Sequence, residues 1–340
     1  MALTQLEYSS GDIQQAARFS VAPMMDWTDR HCRYFHRKFT KNSLLYTEMV
    51  ASAALVKGKA FHLLEFSNEE HPVALQLGGS DPFQLSEAAS IGEAYGYDEI
   101  NLNVGCPSDR VQSGEFGAIL MKSPKLVASC CKAMISSTSV PITVKCRIGV
   151  DQQDPNEVLP KFLHHIEDAG IKRVIIHARK AILKGLSPKE NRDVPPLNYN
   201  LVFKMKEKFP DLHISLNGGV NTLSTAIEFI SKGIDGVMIG RSAYQQPSLI
   251  LSNADKVMFG EETNTSPFDV ANEMRVYLKN YLNSGGRPHQ ITRHMVGLFH
   301  GLPGAKKWRQ YLSKGSGTDN LDYYDEALGQ INKSINSYAA

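Results

Sequence analysis

Apolar residues fall into eight short runs along the first 240 positions, each followed by a longer mixed segment of helical character. The runs are 19–23 (FSVAP), 44–48 (LLYTE), 72–77 (PVALQL), 98–103 (DEINLN), 141–146 (PITVKC), 172–177 (KRVIIH), 212–217 (LHISLN) and 235–240 (DGVMIG). Read as continuous rather than alternating hydrophobicity, they suit strands covered on both faces. Eight such strands with interposed helices predict an α/β chain closed into a parallel (β/α)8 TIM barrel. An open doubly wound sheet is the rival, weakened because no G-x-G-x-x-G follows the first run. Residues 259–268 (FGEETNTSPF) read as a polar linker. Beyond it, 269–283 and 290–313 carry apolar residues at helical spacing, including Val270, Met274, Leu278, Met295, Leu298 and Phe299. The expected organisation is a catalytic barrel over 1–258 and an all-helical domain over 267–340. The core of that domain is too small to stand alone, so it should lean on the barrel.

Composition adds bounds. A hydrophobic share of 42% and a charged share of 21% describe an ordinary globular chain with ample core. No run approaches the ~18 apolar residues of a membrane span. The segment MALTQLEYSSGDIQQ lacks a basic start and an apolar run, so no export signal is read and the cytoplasm is the expected address. The five cysteines then read as reduced thiols; no pair has C-x-x-C spacing, and His31, Cys32 and His36 suit one helix better than a metal site. A net charge of +2 says little, but its distribution says more: Arg275–Lys314 holds eight Lys or Arg and no acid.

In a barrel of this kind the site lies at the carboxyl ends of the strands. The runs close on Pro23-Met24-Met25, Glu48, Gln76, Asn103, Lys145, His177, Asn217-Gly218-Gly219 and Gly240-Arg241. Polar or special residues at every end of otherwise apolar runs are the functional signal. Asn217-Gly218-Gly219 permits a turn whose N–H groups form an anion nest, and Gly240-Arg241 adds a second turn and a guanidinium. They fall after strands seven and eight, where barrels hold cofactor phosphate. Lys145 suits charge on the N1–C2=O edge of a flavin, or a Schiff base. Gln76 offers both a donor and an acceptor to a pyrimidine-like edge. His177 reaches phosphate or ribityl oxygens, or is a packed histidine. Cys106, between a Gly and a Pro just past strand four, is an odd place for a core thiol. A thiol is mostly protonated near neutral pH, so it reads as a general acid.

These residues lie in the runs VAPMMDWTDRHCR, EHPVALQLGGSDP, INLNVGCPSDRV, HARKAILKGLSPKENR, LNGGV and ITRHMVGLFHGLPGAKKWR, which resemble the tRNA-dihydrouridine synthases, A-type subfamily, over about residues 18–313. The resemblance implies FMN lined by Pro23, Met24, Met25, Gln76, Lys145 and His177. Its phosphate end would lie on Asn217, Gly218, Gly219, Gly240 and Arg241. It further implies NADPH as reductant, tRNA as partner, Asn103 against the uridine, and action near position 20 of the D-loop. Saturating C5=C6 of uridine needs hydride at one carbon and a proton at the other; reduced flavin serves C6 and Cys106 serves C5. Phosphate contacts would come from Lys189 and Arg192 after strand six and from Arg293, Lys306, Lys307 and Arg309 along adjacent helical faces. No metal and no stable protein partner is implied. Alternatives are a flavin enzyme for a free small molecule, a Schiff-base lyase on Lys145, and a non-catalytic RNA-binding protein.

Overall fold

The computed structural model describes residues 10–262, 264–315 and 320–339; the outer limits of the expected domains, residues 1 and 340, lie outside them. Eight parallel strands close a barrel in chain order, with β1 (Phe19–Val21) hydrogen-bonded to both β2 (Leu44–Ala51) and β8 (Gly236–Ile239). Between them lie β3 (Val73–Gly78), β4 (Glu99–Val104), β5 (Ile142–Arg147), β6 (Arg173–His177) and β7 (His213–Asn217). Two of the described helices open on an acidic cap followed by proline, at Asp81-Pro82 and Asp154-Pro155, where the carboxylate accepts the first free N–H groups.

Two expectations about the strands need correction. β2 does not stop at Glu48 but runs to Ala51, with a register irregularity between Tyr46 and Met49. The strands also alternate. One parity, including Val73, Leu75, Leu77, Ile100, Leu102, Val104, Val144 and Cys146, joins the helices in the main hydrophobic core. The other parity faces inward and is largely polar from β3 to β7: Gln76, then Glu99, Asn101 and Asn103, then Thr143, Lys145 and Arg147. A smaller apolar cluster of Leu44, Tyr46, Ala74, Ile175 and Met238 fills the rest of the interior, and Ile13 of the helix Ser10–Ala16 closes its floor. From Tyr46 and Thr143 up to Asn103, the polar side chains inside the barrel hydrogen-bond one another.

After the barrel come helices Pro267–Asn283, His289–Thr292, Ala305–Lys314 and Asp322–Ala339. The helix read over 290–313 is broken. Gly297, Gly301 (φ 82°), Pro303 and Gly304 (φ 88°) turn the chain between Thr292 and Ala305, while Met295, Leu298 and Phe299 stay buried. Trp308 anchors these helices, donating its Nε1 to Met295 O at 2.8 Å. They do lean on the barrel: Tyr277 stacks on Tyr34 at 3.9 Å and bonds His31 at 2.8 Å. His31, Cys32 and His36 share the helix Arg30–Arg37, and no metal-binding group occurs among the described residues.

Candidate active site

Strand register brings Asn103 beside Lys145, Arg147 beside His177 and His177 beside Asn217 at one end of the barrel. Beneath them runs a file of hydrogen bonds with a fixed direction. The Glu99 carboxylate can only accept, so Tyr46 and Thr143 donate their hydroxyls to it. Thr143 then accepts from Asn101 Nδ2 at 2.8 Å, Asn101 Oδ1 from Gln76 Nε2 at 2.8 Å, and Gln76 Oε1 from Asn103 Nδ2 at 2.8 Å. That leaves Asn103 Oδ1 to receive the N–H groups of Gly105 and Cys106 at 3.0 and 2.9 Å. The order holds from both ends, since backbone N–H groups can only donate. At the floor Glu99 is ion-paired with Arg173, which also donates to Ile13 O.

Cys106 is therefore seated by its backbone. It is half-buried, its carbonyl accepts from Ala118 N at 2.9 Å, and its Sγ lies 3.5 Å from the neutral Ser108 hydroxyl. Two cations belong to the same cluster: Arg147 donates to Gly105 O, next to the cysteine, and Lys145 pairs in register with Asn103, which seats that cysteine.

Lys145 donates to Asn217 Oδ1 at 3.1 Å, and Asn217 is itself held by Nδ2 on Met238 O at 2.8 Å. Burial, with the charge of Arg147 added, pushes the Lys145 ammonium down to about 8. Burial and the same two cations hold His177 neutral, well below the ordinary histidine range. The Asn217-Gly218-Gly219 turn is bare backbone by necessity: φ is 107° at Gly218 and 70° at Gly219. A Cβ on Gly218 would stand 2.5 Å from the His177 ring, and one on Gly219 2.6 Å from Leu197. Gly240 differs, since a Cβ there would meet Ala22 at an ordinary 3.5 Å. Arg241 pairs with Asp193 at 2.8 Å; this half-exposed pair is worth little and is easily exchanged for another anion. Pro23 is half-buried, Met24 packs on the core with N and O both on Thr28 Oγ1, and Met25 is 52% exposed.

Sequence reasoning passed over Arg147. Its guanidinium is buried and binds three carbonyls at 2.9 Å: Gly105 O in the cysteine loop, and Lys180 O and Asn191 O in the loop after β6. Burial pushes it down to about 10. Asn191 in turn ties that loop together through Ile182, Leu186 and Ser187. The K-C-R of β5 and N-L-N of β4, read with a period of two, were the available signal. The same loop exposes Lys189 and Arg192.

Among the helices, Lys306, Lys307 and Arg309 are exposed on Ala305–Lys314. Arg293 does not share their helix; it caps His289–Thr292 and its guanidinium pairs with Asp29 at 2.5 Å. The stretch without acids is likewise not free of them in space, because Arg275 pairs with Asp325.

A strand-end cluster of two cations, a neutral imidazole, an amide edge and a bare glycine turn suits a planar heteroaromatic group bearing an anionic tail, faced by a proton donor. Residues 20–336 match the family model described as dihydrouridine synthase. The tRNA-dihydrouridine(20/20a) synthase of Escherichia coli (strain K12) is 54% identical over 307 residues, covering 90% of this chain and 88% of that protein. Its namesake from Vibrio parahaemolyticus is 50% identical over 328 residues, covering 94% and 99%. The solved old yellow enzyme homologue from Zymomonas mobilis has a TM-score of 0.52 at 11% identity, covering 74% of this chain and 91% of that one. At that identity the likeness is one of fold.

Proposed function

Because the chain belongs to the dihydrouridine synthase family, a family of flavin-dependent oxidoreductases, we propose that it reduces the C5–C6 bond of uridine to dihydrouridine in the D-loop of tRNA, at position 20/20a. The reading takes FMN as resident cofactor and NADPH as reductant. What carries it is the placement of Cys106: a half-exposed thiol, its backbone seated by Asn103 at the end of β4 and its loop gripped by Arg147 from β5.

When bound and reduced, FMN supplies the hydride that reaches C6. The residues of the chain supply the rest. Gly218, Gly219, Asn217, Gly240 and Arg241 hold the phosphate end; Lys145, His177 and Gln76 hold the ring and ribityl chain, with Pro23, Met24 and Met25 along it. Cys106 holds a proton on Sγ and delivers it to C5, and the thiolate left behind lies in the field of Lys145 and Arg147. Asn103 keeps one amide hydrogen free after donating to Gln76, enough for a single bond to a pyrimidine carbonyl. Lys189, Arg192, Arg293, Lys306 and Arg309 contact RNA phosphates, Arg293 by exchanging its bond to Asp29. In this division residues 1–258 are the catalytic barrel and 267–340 the tRNA-binding part.

The direct test reduces the flavin-loaded protein anaerobically with NADPH and follows its reoxidation. Unmodified tRNA should restore the oxidised spectrum and acquire dihydrouridine, far faster than free uridine does. Equal rates with free uridine would favour a small-molecule enzyme, and a protein that purifies without flavin would point to a lyase.

Lys145 makes a pH-dependent prediction. Without ligand its ammonium loses its proton near pH 8. A ligand offering negative charge to Nζ binds the protonated form and raises that pKa. Affinity should thus be flat from pH 7 to 8 and fall as pH rises further, by up to about tenfold per unit. Flavin titrations of apoprotein between pH 7 and 10 measure this; Lys145→Met should remove the fall.

A further inference from the structure

At the rim of the barrel mouth, Trp27 and Tyr244 stack with centroids 4.3 Å apart and planes 13° from parallel. Trp27 lies in the loop after β1, and Tyr244 in the short helix Arg241–Gln245 after β8. Neither ring is among the side chains packed on the hydrophobic core. Both are nonetheless held firmly. Tyr244 meets the His294 ring edge-on and bonds its Nδ1 at 3.1 Å. His294 contacts Asp29 at 3.0 Å, and Asp29 also caps the helix Arg30–Arg37 and pairs with Arg293. The Trp27 main chain is fixed in the turn that Thr28 pins, its backbone N–H donating to Met24 O at 3.1 Å. Docking the C-terminal helices explains Tyr244; it does not explain a partly exposed tryptophan laid flat against it.

An extruded pyrimidine leaves its neighbour in the strand without a stacking partner, and a flat ring on a fixed loop replaces that partner at little ordering cost. We propose that Trp27, backed by Tyr244, is a stacking platform for a single-stranded nucleobase adjacent to the target uridine. The proposal rests on the reading of tRNA as substrate.

The chain holds two tryptophans, and Trp308 is fully buried, so emission that changes with RNA reports Trp27. The flavin-loaded holoenzyme is titrated with unmodified tRNA and, separately, with polyphosphate, a polyanion without bases. Quenching by tRNA but not by polyphosphate is expected. Trp27→Phe should abolish the quenching yet keep most of the affinity, because a phenyl ring still stacks. Trp27→Leu should weaken tRNA binding roughly tenfold. Quenching that persists in Trp27→Phe, equal quenching by polyphosphate, or wild-type affinity in Trp27→Leu would each overturn the platform alone. A wild-type holoenzyme that binds no tRNA would overturn the functional reading and the platform with it.

Discussion

Cys106→Ala should lower single-turnover reduction of tRNA uridine by roughly 10²–10⁴, the usual loss when a positioned general acid is removed. Fold and flavin content should stay near wild type, because the loop is seated by main-chain groups that alanine keeps: its N–H on Asn103 and its carbonyl on Ala118 N. The side chain is half-exposed and fills no part of the core, so no sizeable cavity opens. Stopped-flow reoxidation of the reduced variant by unmodified tRNA, with a melting curve beside it, separates the two roles. A rate within about fivefold of wild type, or a large drop in Tm with little change in rate, would reassign Cys106 to packing.

Arg173→Met should cost about 3–5 kcal/mol of stability, since it leaves the Glu99 carboxylate fully buried without its counter-charge. For a chain of this size that is a fall in Tm on the order of 10 °C. Adding Glu99→Gln should recover much of the loss, because the orphaned charge is then gone and the amide can still accept from Tyr46 and Thr143. Calorimetry of the two single variants and the double variant checks it. Strictly additive losses would show that the pair matters through packing rather than charge.

The fold was legible because its dominant signal is local. Seven of eight strands lie within a residue or two of their apolar runs, and Pro and Gly punctuate the βα units. Of the candidate site, the convergence of Lys145, His177 and Asn217 at the strand ends was legible. Two things were hidden. Reading runs as continuous concealed the inward parity, so Glu99, Asn101, Thr143 and Arg147 passed as background although their spacing of two was in plain view. Charge partners distant in sequence were hidden for a different reason. Arg293 and Asp29 are 264 positions apart, and no local pattern announces such a pair. After Thr292 the apolar spacing predicts one helix, but three glycines and a proline within twelve residues break it.

The Arg147 guanidinium grips the cysteine loop with one arm and, with the other, the loop that exposes Lys189 and Arg192. Under the proposed function, the surface that receives the nucleic acid backbone and the atom that gives up its proton are parts of one rigid body. Part of the interaction energy gathered at distant phosphates then goes into aligning the reacting groups instead of tightening the complex. Seen this way, preference for a folded polynucleotide over a lone nucleoside is exercised in the speed of the chemical step as well as in affinity.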